Sequence, residues 1–158
     1  MDRRLGKKPL IVGCVASAAQ LRRCARQAPA DCDWIEVRLD LTGPCGGSWP
    51  ELCAAAGRKG RPVLLTIRSA AEGGRWRGRE TERTALYLHG LEVAAAVDVE
   101  IASPAFGLVA EAARRRQVAV VGSFHDFHGT PGAERLAAIE ARGRALGADV
   151  VKIAAQVR

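Results

Sequence analysis

Short runs of β-branched and aliphatic residues recur along the chain, each followed by a stretch rich in alanine, arginine and leucine. The apolar runs lie at 10–15, 34–39, 62–67, 96–101, 118–122 and 149–153, and none alternates strictly between apolar and polar positions. Continuous runs of this kind belong to parallel strands covered on both faces. Helical patterning fills the intervals at 18–27, 49–58, 80–95, 106–116 and 133–146. Strands alternating with helices in this way predict βα units and an α/β fold. The helix ends carry suitable chemistry. Ser48 precedes Trp49-Pro50-Glu51, Thr130-Pro131 breaks the chain before Ala133, and Gly147 stands where a C′ glycine closes the last helix. No linker, low-complexity tract or charge block divides the sequence, so residues 1–158 are expected to form a single domain.

Two architectures share this alternation. An open doubly wound sheet of six strands is one, although no G-x-G-x-x-G follows the first run. The other is a parallel (β/α) barrel of TIM type, whose complete form has eight units in roughly 250 residues. On that reading the 158 residues hold about six of the eight βα units. Only the five residues 154–158 then follow the last strand.

Composition narrows the function. At 48% hydrophobic and 26% charged, the chain has the profile of a globular protein and not of a disordered one. No apolar run approaches the roughly 18–20 residues needed to span a bilayer. The charged start runs into a strand-like segment and then Arg22 and Arg23, which is not the pattern of a cleaved signal, so a cytoplasmic protein is expected. Five cysteines (Cys14, Cys24, Cys32, Cys45, Cys53) form no C-x-x-C pair and have no histidine at a zinc spacing. They are expected to be reduced and to bind no metal. The net charge of +7 comes from 20 arginines and only four lysines, set against 17 acidic residues. With seven aromatic residues, the chain lacks the basic stripe interleaved with aromatics that nucleic-acid binding uses. An anionic small molecule suits the charge better.

Polar residues cluster at the C-terminal ends of the candidate strands, the edge where parallel α/β folds bind ligands. Period two places Glu36, Arg38 and Asp40 on one face, and Asp98 and Glu100 on one face. Thr66-Ile67-Arg68 leads into Ser69-Ala70-Ala71-Glu72-Gly73-Gly74, and the fifth run leads into Ser123-Phe124-His125-Asp126. Charges inside apolar strands are costly unless paired or ligand-bound, and their recurrence on five successive strands predicts a shared polar interior. Lys152, among valine, isoleucine and alanine, is expected to be an amine shielded from water and suited to Schiff-base chemistry. His125, just past the fifth strand, suits general acid–base work. His89 and His128 carry no such signal.

In order and spacing, these segments resemble the type I 3-dehydroquinate dehydratase family. They are Glu36-Val37-Arg38-Leu39-Asp40, Thr66 to Gly74, Asp98-Val99-Glu100-Ile101, Ser123-Phe124-His125-Asp126-Phe127, Thr130-Pro131 and Gly147 to Ala154. The resemblance covers about residues 9–156 and implies the (β/α)₈ barrel, here as a C-terminally shortened member. It implies dehydration of 3-dehydroquinate to 3-dehydroshikimate in the shikimate pathway of aromatic amino acid biosynthesis, without metal or organic cofactor. It further implies Lys152 as the imine-forming amine, His125 as the proton shuttle and Glu72 as its orienting carboxylate. Glu36, Arg38 and Arg68 would bind the substrate, with Asp98 and Glu100 as interior supports and a homodimer possible. Gly13 departs from the family's usual serine, and the family's last two strands, with a carboxylate-binding arginine and a closing loop, have no counterpart here. The alternative is a non-catalytic barrel remnant that acts as a binding or self-association module.

Overall fold

The computed structural model describes residues 9–156. Six parallel strands lie side by side in chain order: β1 (Val12–Val15), β2 (Trp34–Arg38), β3 (Val63–Thr66), β4 (Ala96–Glu100), β5 (Ala119–Asp126) and β6 (Val150–Ala155). Helices α1 (Ala18–Arg26), α2 (Leu39–Thr42), α3 (Trp49–Arg58), α4 (Glu80–Gly90), α5 (Phe106–Arg116) and α6 (Ala133–Ala145) occupy the connections. This is the curled βα array of a barrel and not a doubly wound sheet, since each strand pairs with the next in sequence and the order never reverses. Among the described residues β1 and β6 are the two edges.

The pleat sorts side chains into two layers. Ile35, Val37, Leu65, Val97 and Val99 face outward and pack with Leu21, Trp49, Tyr87, Phe106 and Val109 from the helices in one large core. A separate small cluster of Trp34, Ala96 and Ala119 lines the inner face low on the strands, with Leu64 packed against it. Above this apolar floor the inward positions turn polar, as the recurrent strand charges predict.

Several boundaries differ from the sequence expectation, each for a local reason. Helix α4 stops at Gly90 and not at residue 95. A Cβ at Gly90 would sit 2.1 Å from Leu65 Cδ2, so the helix lies hard against β3 there. The chain then turns to bury Leu91, and Ala95 N–H donates to Val63 O at 2.9 Å to open β4. Ser48 does not cap α3, because its hydroxyl donates to Cys45 O instead. Ser17 caps α1 by accepting from Gln20 N. Gly147, at φ +100°, is the C′ glycine expected after α6.

The most consequential difference is β5, which runs on through Asp126 because β6 pairs with it residue for residue from Val121↔Val150 to Asp126↔Ala155. His125 therefore sits in a strand and not in the loop beyond it. All five cysteines are free. No helix among the described residues is long and apolar enough to cross a membrane.

Candidate active site

Strand register assembles the site. Ser123 stands opposite Lys152, and His125 opposite Ala154, so Ser123, His125 and Lys152 share the inward face of neighbouring strands. Strand spacing and rise put the Lys152 and His125 Cα atoms roughly 8 Å apart, within reach of one small ring. Glu100 pairs with Ser123 across β4 and β5, which brings the acidic strand into the same wall.

Lys152 Nζ donates to Asp98 Oδ2 at 3.0 Å. The expectation of an amine shielded from water is corrected here: the Lys152 side chain is 42% exposed, because β6 is an edge strand with one described neighbour. What holds the amine is its partner. Asp98 is wholly buried, accepts from Arg68 Nη2 at 2.8 Å and from the Ser123 hydroxyl, and is fixed along its backbone by the Tyr87 hydroxyl donating to Asp98 O at 2.7 Å. Burial alone would raise the Asp98 carboxyl, but Arg68 and Lys152, with the Ser123 hydroxyl, outweigh it and hold the group below the ordinary aspartate value.

Arg68 is almost fully buried, with Nη1 donating to Ser123 Oγ at 2.6 Å and lying 3.7 Å from Glu100 Oε1. Its guanidinium is turned into the wall, toward carboxylates, as a brace between strands. Glu100 also accepts from Ser69 N–H at 2.8 Å and from Arg83 Nη1 at 2.7 Å.

The histidine end is built from the turn after β3. Glu72 Oε2 lies 2.9 Å from His125 Nδ1 and accepts the His125 backbone N–H at 3.0 Å. Both side chains are mostly buried, at 12% and 10% exposure. One carboxylate oxygen thus fixes ring and backbone together, which leaves Nε2 as the nitrogen directed away from Glu72. Phe127 stacks on the imidazole with 6.3 Å between ring centroids and 14° between planes, and its ring edge fills the space a Cβ at Gly73 (φ +76°) would need.

On β2, Glu36 accepts from the Thr66 hydroxyl at 2.7 Å. Arg38 is spent on Asp40 through two bonds of 2.9 and 2.7 Å, while Asp40 also receives Arg68 N–H and Arg75 N–H. Asp40 is held below its ordinary value: burial would raise it, and Arg38 with the two backbone donors overrides that. Ser123, Tyr87, Arg83 and Asp40 are site-supporting residues that sequence reasoning gave no role. Among the described residues, no group of three or more His, Cys, Asp or Glu is placed to hold a metal ion.

The lowered carboxyls set a pH dependence of stability. A group with a folded-state pKa below its unfolded value adds stability that is complete above about pH 4 and fades as pH falls through the folded value. Thermal unfolding midpoints should therefore hold steady from pH 7 to about 5 and drop progressively below about pH 4 as Asp98 and Asp40 protonate. A midpoint constant down to pH 3 would contradict the charge balance described for this wall.

Comparison with known proteins decides the family. A family model described as type I 3-dehydroquinase matches residues 12–158. The chain belongs to the type I 3-dehydroquinase family. A 3-dehydroquinate dehydratase of Methanosarcina mazei is 34% identical over 160 residues, an alignment covering 95% of this chain and 64% of that protein. The solved 3-dehydroquinate dehydratase of Enterococcus faecalis superposes with a TM-score of 0.83 at 27% identity, covering 95% of this chain and 67% of its own. The type I enzyme of Clostridium difficile, solved with covalently modified comenic acid, gives a TM-score of 0.81 at 25% identity, with 94% and 64% covered. The chain thus spans less than two thirds of the length of the Methanosarcina mazei relative.

Proposed function

We propose that the chain carries the Schiff-base machinery for dehydrating 3-dehydroquinate to 3-dehydroshikimate. The observation that carries this reading is the pairing of Lys152 with His125 on one inward wall, each held from behind by its own carboxylate, Asp98 and Glu72.

Lys152 Nζ, once deprotonated, adds to the substrate's C3 ketone, and loss of water from the carbinolamine leaves a protonated imine. Asp98 is already shared with Arg68 and Ser123, so it steers the amine without presenting an undivided negative charge to it. The imine draws electrons from the adjacent C2–H bond, and His125 Nε2 takes that proton. The electron pair forms the C1–C2 double bond as the C1 hydroxyl departs, protonated by the same imidazole, as water. Hydrolysis of the imine returns the free amine. General acid–base assistance of this kind is worth about 10²–10⁴-fold. Glu72 fixes the ring's orientation, much as a carboxylate orients a catalytic histidine elsewhere. Glu36, with one oxygen on Thr66, lies on the inward face of β2 and suits a substrate hydroxyl, and Arg38, partly exposed beside Asp40, suits an anionic group. Arg68, expected to bind substrate, is turned into the wall and braces Asp98 instead. The covalently modified ligand in the Clostridium difficile relative is in keeping with covalent chemistry in this family.

Borohydride reduction during incubation with 3-dehydroquinate tests the reading. The expected result is a stable mass adduct located by peptide mapping to Lys152. A folded chain that yields no adduct at saturating substrate would sink the dehydratase reading in favour of a binding module.

A further inference from the structure

Helix α4 sends one arginine into the wall, and no step of the proposed reaction uses it. Arg83 is 2% exposed, yet all three of its guanidinium nitrogens are engaged. Nε and Nη2 donate to Glu80 at 3.0 and 2.8 Å, Nη2 also to Ser103 Oγ at 2.9 Å, and Nη1 to Ile67 O at 3.0 Å and Glu100 Oε2 at 2.7 Å. Glu100 in turn divides its oxygens. Oε2 takes Arg83, while Oε1 takes Ser69 N–H and faces Arg68. From Glu100 two routes reach the site. One passes through Arg68 to Asp98 and Lys152. The other passes through Ser69 into the turn that carries Glu72 to His125, a turn closed on itself by Gly74 N–H donating to Ser69 O at 2.8 Å.

The charges alternate along the first route. Glu80, Arg83, Glu100, Arg68, Asp98 and Lys152 form a run of six groups with no net charge, four of them buried. A buried carboxylate that loses its closest cation leaves part of its charge uncompensated, which favours a shift toward the cation that remains, here Arg68 at 3.7 Å. Without Arg83, Glu100 would compete with Asp98 for Arg68 and release Ser69, so both ends of the site would shift together.

We infer that Arg83 is a positioning residue: by holding Glu100 between Arg68 and Ser69 it sets the Lys152 and His125 ends of the site in register. The inference rests on reading these two residues as the reacting pair, so its test uses one measurement without substrate and one with it. The first is the downfield proton resonance of His125 Nδ1–H, the signature of the Glu72 hydrogen bond. The second is the rate of borohydride trapping at Lys152. Arg83→Met should lose the resonance to solvent exchange and trap about ten- to a hundredfold more slowly, the scale on which displacements near 1 Å are felt. Arg83→Lys, which keeps the charge without the fork, should fall between Arg83→Met and the native chain. Arg83→Met combined with Glu100→Gln should regain the resonance, because the stranded charge is gone. A lowered melting temperature with the resonance and trapping rate intact in Arg83→Lys and in every other variant that folds would overturn the inference. If Arg83→Met does not fold, Arg83→Lys decides alone, and native behaviour in both measurements overturns it. Failure of the dehydratase reading looks different: the native chain forms no adduct, whatever the resonance does.

Discussion

Replacing Lys152 by methionine should abolish adduct formation and lower turnover by something on the order of 10⁶-fold, the scale seen when a covalent nucleophile is removed. Methionine keeps the length and apolar stem of lysine while deleting the nitrogen proposed to condense with the ketone. The fold should survive the change. Asp98 keeps Arg68 at 2.8 Å and the Ser123 hydroxyl, so its buried carboxylate is not abandoned, and the lysine side chain itself is 42% exposed. Far-ultraviolet circular dichroism and a thermal melt would separate loss of chemistry from loss of structure. Measurable dehydration by a folded Lys152→Met chain would remove the imine from the mechanism.

Truncating His125 to alanine should separate the two halves of the reaction. Imine formation should persist, because Lys152, its partner Asp98 on β4 and the Arg68 that holds Asp98 are untouched, and borohydride should still trap an adduct. Proton removal from C2 should stall, lowering kcat by about 10²–10⁴-fold. The turn carrying Glu72 should remain docked, since Glu72 also accepts the backbone N–H at position 125, and that bond survives truncation of the ring. The decisive comparison is the ratio of trapped adduct to turnover, which should rise sharply in the variant. An unchanged ratio would place the proton transfer on some other group.

Much of this architecture is readable from local pattern, and the exceptions trace to long-range contacts. The strand cores at 34–38, 63–66 and 96–100 are legible because a strand covered on both faces needs an unbroken apolar outer row, here Ile35, Val37, Val63, Leu65, Val97 and Val99. The extension of β5 through Asp126 is not legible, because its polar tail looks like a loop until β6 supplies hydrogen-bond partners for it. The end of α4 depends on Leu65, 25 residues earlier in the chain, leaving no room beside Gly90. In the site, a lysine inside an apolar strand and a carboxylate ahead of a glycine pair are visible as anomalies. The exposure of Lys152 is not, since it depends on how many strands flank β6. Arg83 is hidden for a different reason. It is one of 20 arginines, and its acidic residue three positions before it looks like an ordinary surface pair on a helix. Only the structure turns that pair inward, onto Glu100.

The Phe127 ring gives the imidazole a sidedness. One nitrogen of His125 is tied to Glu72, and the ring plane lies nearly parallel to a benzene ring that is itself 57% exposed and wedged over Gly73. A molecule docked on Lys152 would therefore be barred from the face of the histidine that the aromatic ring covers. Of the two hydrogens on a methylene carbon next to an imine, the scaffold, and not the bound molecule, would choose which is taken. Deuterium placed at one or the other of those positions would reveal that stereochemical choice.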